Sequence, residues 1–357
     1  MGKLSGIKVI DLSLFLPGPM LTQMMADQGA EVIKVEPPTG DPAREMEPME
    51  GGVSVWFNNL NRAKHCIRID LKSADGQAHL WRLIDQADVL VEGFRPGGMK
   101  RLGFGYQAVS ERNPRIVYCS ISAFGQTGSM AHHPAHDMAV QAHAGFLAVN
   151  DALDGTPVVP GVPSADMAAG LTGLAAVLMA IIGRETSGKG DYLDIAMFDS
   201  LLPWCAHIAG SAIAGGESPI SQSQRSLGGA AFYQVYRTAD ARHVVLGGRE
   251  TKFVINLLNA LGRPDLIQVA ERPAGEQDEL IAFLSQTFAN RTRSEWEEWF
   301  ADKDVAFAPV LDFREALDQS FIHERGLIAE VDGRHVLAPA IRMSDTPDWR
   351  AVTEHEQ

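Results

Sequence analysis

Residues 7–36 read IKVIDLSLFLPGPMLTQMMADQGAEVIKVE, and this stretch decides the fold class. Ile7 to Leu12 is a short apolar run that suits a buried strand, and Leu16-Pro17-Gly18-Pro19 is a turn. An amphipathic helix follows from Met20 to Gln28, closed by Gly29, and Glu31 to Glu36 is a second strand. Strand, helix and strand in that order predict a parallel sheet.

Working outward, strands are expected at His65 to Leu71, Asp88 to Glu92 and Ile116 to Ile121, with a helix at Gly76 to Gln86. The pattern is that of a nucleotide-binding type of α/β domain. The turn after the first strand nevertheless lacks the glycine fingerprint of dinucleotide sites, and no Walker-type Gly-Lys-Ser/Thr motif is present, which argues against NAD and ATP. From Ser200 to about Arg225 the chain turns rich in Ala, Gly, Ser and Gln, as in a connecting segment. A second compact region opens at Gly228-Gly229-Ala230-Ala231-Phe232-Tyr233. It continues through a strand at Val244 to Gly247 and helices at Lys252 to Gly262, Gln277 to Phe288 and Ser294 to Phe300.

The chain has 357 residues, enough for two domains of ordinary size, and its 45% hydrophobic content supports real cores. A formal charge of −14 argues against nucleic acid and anionic membrane as partners, so any anionic ligand must be held by local cations. Cys66, Cys119 and Cys205 are widely spaced, which fits a reducing compartment without disulfides and points to the cytoplasm. The N-terminal residues lack the features of a secretory signal. His132, His133, His136 and His143 do not make a metal site, because Pro134 breaks helical spacing and no carboxylate or cysteine completes a set. No metal is expected.

Asp166 stands in Pro163-Ser164-Ala165-Asp166, directly ahead of seventeen uncharged residues, Met167 to Gly183, that end at Arg184. That run falls short of the roughly 20 apolar residues of a membrane span and reads as an interior helix. A carboxylate at its mouth faces unpaired N–H groups and the positive end of the dipole, and is expected to stay ionised. Such a group can serve as nucleophile or base, and equally as an ordinary N-cap.

Several blocks together resemble the family III CoA-transferases (CaiB/BaiF), a group that includes formyl-CoA transferases and α-methylacyl-CoA racemases. They include Ala26-Asp27-Gln28-Gly29-Ala30-Glu31-Val32-Ile33-Lys34-Val35-Glu36, Gly40-Asp41-Pro42-Ala43-Arg44, Asn61-Arg62-Ala63-Lys64 and Asp88-Val89-Leu90-Val91-Glu92-Gly93-Phe94-Arg95-Pro96-Gly97. Asn113-Pro114-Arg115 and Thr186-Ser187-Gly188-Lys189-Gly190 continue the match in order along the chain. The resemblance implies a Rossmann-like large domain of residues 1–199 completed by 320–357, a linker at 200–226 and a smaller α+β domain at 227–319. It also implies an interlocked homodimer and acyl-CoA and carboxylic acids as substrates.

By the same resemblance Asp166 is the catalytic aspartate. In a transferase it attacks the thioester to give a mixed anhydride and then an aspartyl-CoA thioester. Gly228 and Gly229 are then candidate oxyanion donors, although a tight turn explains them as well. Racemases carry a partner base at the position of His136 and a supporting glutamate at that of Glu250, whereas transferases usually have an aromatic residue in place of His136. The blocks Asp137-Met138-Ala139-Val140-Gln141-Ala142 and Gly161-Val162-Pro163-Ser164-Ala165-Asp166-Met167 look more like the transferase branch. For CoA phosphates the positions implied are Arg62, Lys64, Arg95 and Arg101, with Leu71 and Phe94 flanking the adenine and pantetheine. Pro37, Ala63 and His65 depart from the family pattern around that site.

Overall fold

The computed structural model describes residues 2–152 and 154–344, and the chain forms two compact units. Of the described residues, the first contains 2–144, 160–204 and 320–344. The second contains 145–159 and 205–319. Residues 145–159 therefore cluster with the second unit, and so does most of the segment expected to be a connector, which holds a helical turn at Gly210–Ile213.

The first unit is built on six parallel strands: β1 (Lys8–Leu12), β2 (Glu31–Glu36), β3 (His65–Arg68), β4 (Val89–Glu92), β5 (Val117–Ser122) and β6 (Tyr192–Ala196). Their order is β3-β2-β1-β4-β5-β6. All four residues of β4 are buried and so are most of β5, as near-continuous apolar runs covered on both faces require. Helix α1 (Pro17–Asp27) begins three residues earlier than its sequence pattern suggests, because Pro17 sits where a missing N–H is harmless. Helix α2 (Val55–Asn61) follows, and α3 (Ala74–Ile84) lays Leu80 and Ile84 against the strands. Two further helices, α4 (Asp137–His143) and α5 (Ser164–Ser187), complete the frame of the site.

Helix α5 has 24 residues and is, by length and composition, apolar enough to cross a bilayer, which corrects the shorter run expected. Here it packs on α1, α4, β5 and β6. Its connection back to the sheet is tight: a Cβ on Gly190 would lie 1.8 Å from the Ile116 carbonyl oxygen. Gly190→Ala is therefore expected to cost on the order of 3 kcal/mol or more, read as a lowered thermal midpoint.

Strand order reverses between β1 and β4, so their connections leave in opposite directions and open a crevice at the carboxyl ends of these two strands. Ligands of open α/β sheets bind at such a point. The loops that follow, Ser13–Gly18 and Gly93–Pro96, line a cavity there.

The second unit pairs β7 (Tyr233–Arg237), β8 (His243–Gly247) and β9 (Phe307–Pro309) as an antiparallel sheet in the order β9-β8-β7. Helices α6 (Thr251–Ala260), α7 (Asp278–Phe288) and α8 (Arg293–Phe300) enclose a core in which Phe288 stacks on Tyr236 and Phe300 on Phe307. Two of the buried aromatics have their polar ends satisfied. Tyr236 donates its hydroxyl to the Ala231 carbonyl at 2.6 Å, and Trp296 its Nε1–H to that of Phe288 at 2.9 Å.

Candidate active site

The cavity at the switch point has a volume of about 660 Å³. Ser13, Phe15, Phe94, Arg95, His136 and Asp166 are among its lining residues. Asp166 is the third residue of α5 and is half-buried. It does not cap the helix. The N–H groups of Ala165 and of Asp166 itself both donate to Asp137 Oδ1, at 2.8 and 3.1 Å. Asp137 is held in turn by Gln141 Nε2, which donates to its other oxygen.

This arrangement overturns the expectation that Asp166 stays ionised. The free N–H groups that would have favoured its charge are spent on Asp137. Burial, and then the negative charge of Asp137, push the Asp166 carboxyl up to about 7. At neutral pH it is poised between acid and carboxylate, the range in which one group can both give and take a proton.

His136 immediately precedes α4 at its N-cap position, is exposed, and lines the same cavity. Its ring meets Phe15 edge-on with centroids 6.4 Å apart. Phe15 has φ 63°, the left-handed region that a bulky side chain rarely occupies. Among the described residues no group of three or more His, Cys, Asp or Glu side chains is placed to hold a metal ion. His133 and His143 pack with Phe124 instead.

Of the four cations proposed for phosphate, two are exposed. Arg95 lines the cavity, and Arg101 ends a short helical turn at Gly98–Arg101. Phe94 and Leu71 are half-buried beside the core of the first unit. The other two cations are placed differently from the sequence reading. The Arg62 side chain is 5% exposed and pairs with Asp27 at 2.7 Å, beside a separate cavity of about 330 Å³. The Lys64 side chain is fully buried, with its ammonium at 2.9 Å from Asp11 Oδ2, Pro19 O and Asn61 Oδ1. Burial pulls Lys64 down to about 8, against the opposing pull of Asp11.

Gly228, Gly229 and Glu250 belong to the second unit. The Gly229 N–H, proposed as an oxyanion donor, is already given to the Gln224 carbonyl at 3.0 Å. A Cβ on Gly229 would come within 2.6 Å of the Gln222 carbonyl oxygen, so the glycine is required by close packing in a turn. Gly228 has φ 91°, and its carbonyl accepts from Gln234. Glu250 is exposed at the N-cap of α6, where its backbone carbonyl accepts from Phe253.

A switch-point crevice that offers a half-buried carboxylate, an imidazole and an exposed guanidinium defines an α/β protein suited to an anionic ligand with an acid- or base-sensitive centre. The chain belongs to CoA-transferase family III, whose family model matches residues 4–353. It is 33% identical to an acetyl-CoA:oxalate CoA-transferase of Acetobacter aceti over 97% of this chain and 90% of that protein. It is 31% identical to the α-methylacyl-CoA racemase of Homo sapiens over 96% of this chain and 87% of that protein. Among solved structures, a CaiB/BaiF family protein from Brucella suis matches with a TM-score of 0.83 and 30% identity, covering 97% of this chain and 93% of that one.

Proposed function

We propose that the protein transfers CoA from an acyl-CoA to a carboxylic acid, with Asp166 as the nucleophile. The observation that carries this reading is a half-buried carboxylate opening into the switch-point cavity, which the exposed Arg95 also lines. The carboxylate attacks the thioester carbonyl, the C–S bond breaks, and a mixed anhydride and CoA thiolate result. The thiolate then attacks the aspartyl carbonyl and releases the donor acid, leaving an aspartyl-CoA thioester. The acceptor carboxylate attacks that thioester and the thiolate returns to the new acyl carbonyl, so Asp166 is regenerated. Splitting one exchange into acyl transfers lowers each barrier. Arg95 and Arg101 are the cations proposed for the CoA phosphates, with Phe94 and Leu71 beside its organic part.

A second reading has one specific observation in its favour: His136 shares the cavity with Asp166, as two-base removal and return of an α-proton requires. Two measurements separate the readings. Incubation with acetyl-CoA and hydroxylamine is expected to convert Asp166 to its hydroxamate, seen by peptide mass spectrometry, with oxalate as the first acceptor assayed. Deuterium uptake at the α-carbon of 2-methylacyl-CoA without any modified Asp166 would replace transfer by racemisation.

A homodimer is part of the same proposal. Helix α5 exposes Leu171, Met179 and Ile182, the last two each 71% accessible, on one side of the helix. A stripe of this kind suits burial against a second copy. Ile182→Glu is expected to shift the mass in light scattering from two chains to one, and an unchanged mass would place the interface elsewhere.

A further inference from the structure

Beneath the Ser13–Gly18 wall of the cavity lies a set of buried charges that the transfer steps do not use. Asp11, at the end of β1, accepts from the Ser13 N–H at 2.9 Å, from the Ser13 hydroxyl and from Thr22 Oγ1 at 2.6 Å. It also takes the Lys64 ammonium at 2.9 Å. Lys34, fully buried on β2, donates to the Ser13 carbonyl at 2.8 Å and pairs with Asp41 at 3.0 Å. Lys64 donates in addition to the Pro19 carbonyl at 2.9 Å. One lysine thus holds the Ser13 carbonyl at the start of the segment and the other the Pro19 carbonyl in the first turn of α1, while Asp11 binds both Ser13 and Lys64. Burial would raise the Asp11 carboxyl, but Lys64, Lys34 and the two hydroxyls hold it well below the usual carboxylate range, so the charges stay mutually satisfied.

The segment between these anchors is strained and closely packed. Phe15 occupies the left-handed region, a strained conformation that persists only where the surroundings enforce it. A Cβ on Gly18 would fall 2.1 Å from the Ser13 hydroxyl, so the loop closes on itself. Beyond it, Pro17 and Met20 press on α5 at Gly170, where a Cβ would meet Met20 Cε at 2.4 Å and the Pro17 carbonyl oxygen at 2.9 Å. Gly170 is one turn after Asp166, and Phe15 touches His136. The loop therefore contacts both elements that present the acid–base groups.

We infer that Lys64, together with Lys34 and Asp11, is a positioning residue that clamps the Ser13–Pro19 segment, from the end of β1 into the first turn of α1, and so fixes the Phe15 wall of the cavity, rather than a ligand for CoA phosphate. The part of this inference that concerns CoA rests on the functional reading above; the clamp itself does not.

Amide hydrogen exchange on the full chain without ligand tests the clamp. In Lys64→Met, peptides covering residues 13–20 are expected to exchange at least about 10-fold faster, while those from α7 and α8 keep their protection. Unchanged protection of residues 13–20 would overturn the inference. Should Lys64→Met fail to fold, Thr22→Val removes the hydroxyl that bonds Asp11 and also reaches the Gly18 and Pro19 carbonyls, and the same peptides are expected to exchange about 3-fold faster, with no change counting against the clamp. Calorimetric titration with CoA and with 3′-dephospho-CoA then decides the ligand question. A positioning Lys64 weakens both in the variant and leaves their affinity ratio as in the wild type, whereas a ratio that collapses in Lys64→Met would make Lys64 a phosphate ligand. Wild-type protein that binds neither compound would sink the CoA reading, and the exchange result would still stand or fall separately.

Discussion

Asp166→Asn is expected to lower acyl-CoA turnover by at least about 10³-fold, a loss of about 4 kcal/mol of transition-state stabilisation, because the amide cannot form either covalent intermediate. The same substitution is expected to make the protein more stable at alkaline pH. The Asp166 carboxyl titrates near 7 in the folded chain against an ordinary value of 3.8, so the folded state holds its proton more tightly than the unfolded one. A carboxylic acid of this kind contributes stability that is fully present below about pH 4, declines as pH rises from there to about 7, and is absent above. The interval corresponds to a penalty on the order of 4 kcal/mol for carrying the charge at pH 8. Thermal midpoints of the two proteins should therefore nearly coincide at pH 4 and separate by pH 8, with Asp166→Asn the higher. Equal midpoints at pH 8 combined with retained turnover would remove Asp166 from the chemistry altogether. A residue whose deletion costs activity and adds stability is the signature of a group kept for function.

How much of this was legible before any coordinates is uneven, and the unevenness has physical causes. The β1–α1–β2 unit is written in local pattern: two short apolar runs around a proline turn and an amphipathic stretch admit few alternatives. Strand β6 is not, because Tyr192-Leu193-Asp194-Ile195-Ala196 is a half-exposed edge strand whose central Asp194 points to the Gln126 N–H. Asp166 could be singled out from the uncharged run behind it, but its protonation could not. That depends on Asp137, 29 positions away, occupying the N–H groups that the isolated helix would leave open. Lys64 shows the same limit from the other side. A lysine in a polar stretch reads as a surface charge, and only the return of the chain to the sheet beside β2 places it against Asp11, 53 positions earlier. The Phe15 wall left no signal in composition, since a left-handed φ at a non-glycine residue is imposed by its surroundings. Local propensity therefore specified the scaffold, while the electrostatics of the cavity came from pairings between distant positions.

The placement of Asp137 against the start of α5 gives the second large expected effect, on the pH dependence of the reaction. With Asp166 as nucleophile, kcat/KM should rise with pH and reach half its plateau near 7, because the carboxylate is the active form. Burial sets most of that value and the Asp137 charge the remainder. Asp137→Asn keeps an oxygen to accept from the Ala165 and Asp166 N–H groups but removes the neighbouring charge. The midpoint should then move to lower pH, so that the variant outpaces the wild type near pH 5.5 by up to about 10-fold if the shift approaches one pH unit. Asp137→Ala removes the acceptor as well and is expected to lose about 1 kcal/mol of stability, as helix caps generally do. The remaining charged or titratable side chains that line the cavity are Arg95, His132, His133 and His136. His136→Asn should leave the midpoint of the rising limb in place if transfer through Asp166 is the reaction, since no proton need pass through the imidazole. A limb that disappears in His136→Asn and stays fixed in Asp137→Asn would assign the titration to the histidine and favour α-proton exchange over CoA transfer.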